Sequence, residues 1–253
     1  MMRRFTPLVV AVAMAVPTLP VLAQDEPGNV GMFIFVQPQA GKVAEYEAAY
    51  KEHAAWHRSQ NDSWNWPVWE ITSGPRTGQL VVGSIGHEWK DFDERGDFGA
   101  KDRAEAVANL SPLTESVKRE YWIYQPELSN PPTGDGGPVN GVAYYAHLNQ
   151  DMVGEYNVAA RKIQAAIAKS DWGGRYFRNR LVASGEDPTT VRWAVRQSWA
   201  DFGPNETSFP EMLEGEYGRA EAQAIRDTLN RATHCRRSEI WTYRSDLSYF
   251  PAQ

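Results

Sequence analysis

The chain contains itself twice, and this duplication constrains its fold more than any other feature. Residues 31–46 read GMFIFVQPQAGKVAEY and residues 141–156 read GVAYYAHLNQDMVGEY. Each has a glycine, a short apolar run, a polar turn, and a segment ending in Glu-Tyr. WKDF at 89–92 recurs as WADF at 199–202, at the same offset of 110. YWIYQPELS at 121–129 recurs as IWTYRSDLS at 240–248, at an offset of 119. The second copy therefore holds nine extra residues between these two matches. NPPTGDGGPVN, residues 130–140, is a Pro/Gly linker between the copies. Three matched segments in one order are the signature of an internal repeat.

Each copy reads β-α-β-β-α-β. In the first, a strand covers about 31–37 and a helix about 42–60. Strands at about 65–73 and 79–89 are joined by the turn SGPRTG. A helical region follows at about 100–118, restarting at Ser111-Pro112, and a last strand covers about 120–126. The second copy repeats the pattern from about 141 to 244. The order is that of the ferredoxin-like motif, an α+β class. The first strand places Met32, Ile34 and Val36 on one side and Phe33, Phe35 and Gln37 on the other. Its duplicate places Val142, Tyr144 and Ala146 against Ala143, Tyr145 and His147. Sheets apolar on both faces are buried on both faces. Helices cover one face, so the two sheets are expected to cover each other as an intramolecular barrel.

Two segments carry a family likeness: AGKVAEYEAAYKEH after the first strand, and QLVVGSIGHEWKDFDER through the third. With them the chain resembles a tandem member of the dimeric α/β-barrel superfamily. That group includes NIPSNAP-like proteins, antibiotic-biosynthesis-monooxygenase-like proteins and two-domain chlorite dismutase relatives. The resemblance implies a fused barrel with an internal pocket. It names no reaction, because this fold hosts many.

Residues 1–23 read as a signal segment: Arg3 and Arg4, an apolar run, then VLA before Gln24. Export to the periplasm or medium, with cleavage after Ala23, is the expectation. The run is broken by Pro17 and Pro20 and spans a bilayer poorly. Losing two arginines and no acid takes the net charge from −6 to about −8. Such a surface repels phosphate backbones, so nucleic acid is not an expected partner. Cys235 is the only cysteine, so no intrachain disulfide forms.

Function is carried by fewer residues. In the first copy's helix Val43, Tyr46, Tyr50, His53 and His57 share one face, which should meet the sheet. The duplicate face is Val153, Tyr156, Ala160, Ile163 and Ile167, with isoleucine opposite each histidine. His87, opposite Gln197 in the duplicate, shares a strand side with Val81 and Ile85. His53, His57 and His87 are expected to gather at one end of the first repeat, with Trp56 and Trp69 nearby. HAAWH lacks the glutamate of the zincin motif, so these histidines are metal candidates rather than an assigned site. The resemblance to chlorite dismutase relatives implies haem on a second-repeat histidine, and His147 and His234 are the options. His147 and Tyr145 should face the barrel. No cofactor is the main expectation, with metal and haem as open alternatives. Trp66, Trp89 and Trp122 align with Phe177, Trp199 and Trp241 and read as structural, whereas Trp56, Trp64 and Trp69 read as a pocket wall. The acids of DFDERGDF, residues 91–98, read as capping and solvation.

These features fit a binder or cofactor-independent transformer of a small, partly apolar molecule. The rival is a non-catalytic protein whose barrel is filled by its own aromatics. Because each half leaves an apolar sheet face bare, residues 24–130 or 139–253 expressed alone should be insoluble or self-associate. A half that sediments as a stable monomer would contradict the fused barrel.

Overall fold

The computed structural model describes residues 28–133, 139–182 and 188–251. The expected signal segment and residues 134–138 of the linker lie outside them. The first repeat holds β1 (Val30–Pro38), α1 (Val43–Ser59), β2 (Val68–Ser73), β3 (Leu80–His87), α2 (Trp89–Glu94), α3 (Gly96–Asn109) and β4 (Thr114–Tyr124). The second holds β5 (Asn140–Leu148), α4 (Val153–Ala168), β6 (Tyr176–Val182), β7 (Thr189–Arg196), α5 (Phe209–Ala232) and β8 (Thr233–Tyr243). The strands close a barrel in the order β1-β3-β2-β8-β5-β7-β6-β4. Within each repeat the order is ferredoxin-like. Two antiparallel seams join the repeats: β2 on β8, where Ile71 faces Trp241, and β4 on β6, where Trp122 faces Leu181.

The interior is apolar and aromatic. Phe33, Phe35, Trp69, Ile71, Val81, Trp122, Tyr145, Val191 and Trp241 form one cluster, with Trp193 packed against it. The Trp122 and Trp241 rings lie 5.8 Å apart. One ionic group is sealed among them. Arg76 donates to both carboxylate oxygens of Glu239 (2.8 and 2.6 Å) and to the Tyr145 hydroxyl (2.8 Å), with Glu120 3.9 Å away. Outside the barrel, Met32, Val36, Tyr46, Tyr50 and Val82 pack α1 onto the first sheet. Ala166, Ile167, Tyr176, Ala194 and Leu213 join α4 and α5 to the second.

The repeated ELS/DLS motifs have a reciprocal role. Ser129 accepts a hydrogen bond from Arg178 N of the second repeat (2.8 Å), and Ser248 accepts one from Val68 N of the first (2.9 Å). Asn130 bridges to Tyr176 and Tyr249 to Trp66. Each copy's last strand thus runs into a tail that docks on the other copy.

Several expectations are corrected. The helical region ends at Asn109, Ser111–Leu113 is one 3-10 turn, and the strand starts at Thr114. The early part of β4 is exposed and polar, so it lacks the alternation that marks a strand; pairing with β1 imposes it. Val43 is 47 % exposed, so the buried α1 face begins at Tyr46. Trp89 and Trp199 are 49 % and 66 % exposed, so these shared tryptophans are not core. What the two motifs share is a capping box, Glu88 with Asp91 and Ser198 with Asp201. No helix among the described residues is long and apolar enough to cross a membrane.

Arg76→Met strands Glu239 inside the barrel, while Glu120 keeps Lys118 at 3.3 Å, and should cost about 3–5 kcal/mol in urea unfolding. Arg76→Met combined with Glu239→Leu should cost less. A single variant as stable as the parent would show that the ionic group is not held by charge pairing.

Candidate functional site

The layer between α1 and its sheet is filled by an ionic and aromatic cluster. His53 and His57 lie four apart on α1, so both imidazoles leave the same face. Their Nε2 atoms meet at 3.1 Å. Each Nδ1 turns outward to a carboxylate: His53 to Glu105 of α3, and His57 to Asp62 Oδ2 at 2.7 Å. Asp102 Oδ1 of α3 approaches both Nε2 atoms, at 3.5 and 3.6 Å. Asp62 is fixed by both Arg95 Nη atoms (2.8 Å each), Trp66 Nε1 (2.8 Å) and Trp64 N (3.1 Å). Burial alone would raise the Asp62 pKa, but the bonds from Arg95, His57 and Trp66 hold it far below the carboxylate range. Burial pushes the His53 pKa down, as does neighbouring His57, against the pull of Glu105 and Asp102. Arg95 lies over Trp64 (4.2 Å) and Phe98 (4.5 Å). Trp56 stacks parallel to His53 at 6.0 Å.

The expected histidine trio is therefore a pair. His87 reaches the helix side of the sheet through a bulge: Val30 pairs with His87 and Gly31 with Ile85, leaving Gly86, at φ 90°, as the extra residue. This turns His87 off the side of Val81 that parity assigned to it. Its Nε2 meets Ser84 Oγ at 2.7 Å and its ring stacks on Trp64 at 3.8 Å. Trp69 is not near the histidines. Strand alternation points it into the barrel, against Trp193, Trp241 and Tyr243. Tyr145 also faces the barrel, under Arg76. His147 is buried beside Thr189 Oγ1 (3.0 Å), its ring 6.2 Å from that of His234.

The equivalent layer of the second repeat is hollow. A cavity of about 670 Å³ lies between the second sheet and α4 and α5. Its walls include Tyr144, Tyr156, Trp172, Tyr176 and Phe209, and also Ile163 and Ile167, the counterparts of His53 and His57. Arg178, Arg192, Arg226, Arg236 and Arg237 line it, and no Asp or Glu does among the described residues. Arg178 and Arg192 face each other across β6 and β7. Arg192 lies over the Tyr144 ring at 4.4 Å and has no carboxylate partner among the described residues. Burial holds its pKa below the usual arginine range, and Arg178 presses the same way. Trp172 Nε1, Arg178 Nε and Arg226 Nε are buried donors without acceptors among the described residues. A space walled by unmet donors and cations suits a ligand rich in acceptors.

This cavity offers a haem no axial histidine. No histidine, cysteine or methionine lines the cavity among the described residues, and neither His147 nor His234 reaches it.

Sequence reasoning missed Asp62, Arg95, Asp102, Glu105 and the whole arginine cavity. Asp102 and Glu105, three apart on one helix, gave a usable signal. So did YFRNR on one strand and VRW on the next, which put arginines where a covered sheet needs apolar residues.

No protein-family model matches the sequence, and the search of curated proteins found no match. Solved structures do share the fold. An anthrone oxidase-like protein aligns with TM-score 0.54 and 11 % identity over 91 % of this chain and 95 % of its own. A mutant chlorite dismutase from Candidatus Nitrospira defluvii, in complex with cyanide, aligns with TM-score 0.54 and 8 % identity over 88 % and 93 %. A proposed monooxygenase from Lactobacillus acidophilus NCFM aligns with TM-score 0.52 and 6 % identity over 88 % and 96 %. These likenesses show the fold, an α/β barrel of two ferredoxin-like repeats.

Burial holds the His87 pKa below its ordinary value, opposed by Asp91 and reinforced by Arg95. The unfolded chain therefore takes up a proton near pH 6.5 that the folded chain refuses, so stability should fall as pH drops through about 6.5. His87→Gln, the residue of the second copy, should lessen the fall of the urea midpoint between pH 7 and about 5, leaving the part that His53 contributes. An unchanged slope would remove His87 as a contributor.

Proposed function

We propose that the protein binds a small organic anion with a flat apolar body, in the hollow beneath α4. The observation that carries this is the cavity of about 670 Å³, lined by aromatics and five arginines. Two of those arginines, Arg178 and Arg192, face each other with no carboxylate between them among the described residues. Like charges held together in a partly dry space raise the energy of the empty protein, and a bound anion relieves it. The barrel itself is packed with its own aromatic side chains, which supports the helix layer rather than the barrel as the binding place.

A cofactor-independent reaction on the bound molecule is the catalytic form of this reading. It draws support from the anthrone oxidase-like and monooxygenase neighbours. Residues 1–23 support action outside the cytoplasm, after export. AGKVAEYEAAYKEH supports a finer kinship with NIPSNAP-like domains.

Calorimetric titration with benzoate and naphthoate probes, beside their neutral amides, tests the reading. The acids should bind at least tenfold more tightly than the amides. Arg192→Met should remove roughly tenfold or more of that affinity, the worth of a charge-assisted hydrogen bond. The same variant should leave the ligand-free melting temperature unchanged or raised, because an unpaired cation is lost. Equal affinity for acids and amides would contradict the proposal. So would full affinity in Arg192→Met.

A further inference from the structure

The charged layer of the first repeat suggests a separate site. We propose that His53, His57 and Asp102 bind one divalent transition-metal ion, which clamps α3 onto α1. The three ligand atoms already stand at the corners of a triangle with edges of 3.1, 3.5 and 3.6 Å. A tetrahedral zinc ion, with bonds of about 2.0–2.2 Å, spaces its ligand atoms roughly 3.3–3.5 Å apart. The triangle fits, and one position stays free for water.

The outer atoms agree. Glu105 and Asp62 stand where each accepts an Nδ1–H in the tautomer that turns both Nε2 lone pairs inward, the form a metal ion requires. The two lone pairs then face each other at 3.1 Å, beside a third acceptor on Asp102. Three acceptors converging on one point call for a cation. Two imidazoles and one carboxylate select zinc or a neighbouring first-row ion over magnesium or calcium, which take oxygen ligands.

The clamp follows from what α3 lacks. None of its residues is buried, so it contributes no fully sequestered side chain to the core. Its apolar ties to α1 are the half-buried Phe98 against Trp56 (5.5 Å) and Ala106 at the edge of the core; the others are polar: Glu105 to His53, Asp102 to both histidines, and Arg95, just before the helix, to Asp62. A metal ion would convert this contact into coordinate bonds. In the second repeat Ile163 and Ile167 replace the histidines, and α5 packs through Met212, Leu213, Ala222 and Ile225, which are buried. That repeat has an apolar anchor where the first has ligands.

The test uses the full chain, stripped with a chelator and titrated with zinc chloride alone. Native mass spectrometry should count one zinc per chain. Calorimetry should show Asp102→Asn, a partly exposed and hence fold-neutral change, weakening zinc by roughly tenfold or more. Glu105→Gln, which only positions His53, should weaken it by about 10–100-fold. His53→Ile with His57→Ile, which copies the second repeat and so keeps a foldable layer, should abolish it. His234→Ala should change nothing. Zinc should slow hydrogen exchange across residues 96–109 in the parent and not in the double variant. Failure of the parent to take up stoichiometric zinc overturns the site. Unchanged affinity in Asp102→Asn, or loss in His234→Ala, overturns the ligand assignment. Binding that leaves exchange in α3 unaltered overturns the clamp. None of these readouts involves the cavity under α4, so the two proposals fail separately.

Discussion

A ferredoxin-like sheet carries its helices on one face, and in this chain the opposite face is apolar as well. That bare face must be covered, and the chain covers it with a copy of itself. Phe33, Phe35 and Trp122 of one sheet meet Tyr145, Val191 and Trp241 of the other in a shared interior. The seams of β2 on β8 and β4 on β6 leave no unpaired edge. The exchanged tails reinforce the closure, because each repeat's Ser and its following residue hydrogen-bond to the other repeat. Everything outside the barrel rests on this closure, since it fixes which strand face looks toward the helices.

With the barrel filled, the two helix layers are what remains for function, and they have diverged. The first copy fills its layer with His53, His57, Asp62, Arg95 and a ring of aromatics, each charge matched by a partner. The second copy places Ile163 and Ile167 at the same helical positions and leaves a space. Its lining carries arginines and no carboxylate among the described residues, and Trp172 Nε1, Arg178 Nε and Arg226 Nε find no acceptor there. Duplication allows this, because one copy can keep a filled layer while the other keeps an open one.

How much of this was legible depends on the length scale of the signal. The repeat, the strand order and the inward faces of β1 and β5 follow from alternation and matched motifs, which are local and periodic. The histidine pair was legible for the same reason, since a spacing of four on a helix fixes a shared face. Asp62, Asp102 and Glu105 were harder, because their partnership with His53 and His57 depends on how loops and α3 fold back. His87 was misplaced by one residue of bulge, and a parity argument cannot survive an inserted residue. Trp69 was misplaced for the opposite reason: proximity in sequence to Trp64 and Trp66 hid the plain alternation that sends it inward. The cavity was invisible, because a hollow is a property of several elements at once.

The central claim is that one helix layer is solid and the other is open to an anion. A crystal soaked with iodobenzoate tests it directly, since iodine marks the ligand by its anomalous signal. The account predicts an iodine peak beneath α4, the carboxylate against Arg178 and Arg192, with no peak in the barrel or under α1. An iodine peak inside the barrel or beside His53 and His57 would contradict it. So would Ile163 and Ile167 closed onto Tyr144 with no space between them.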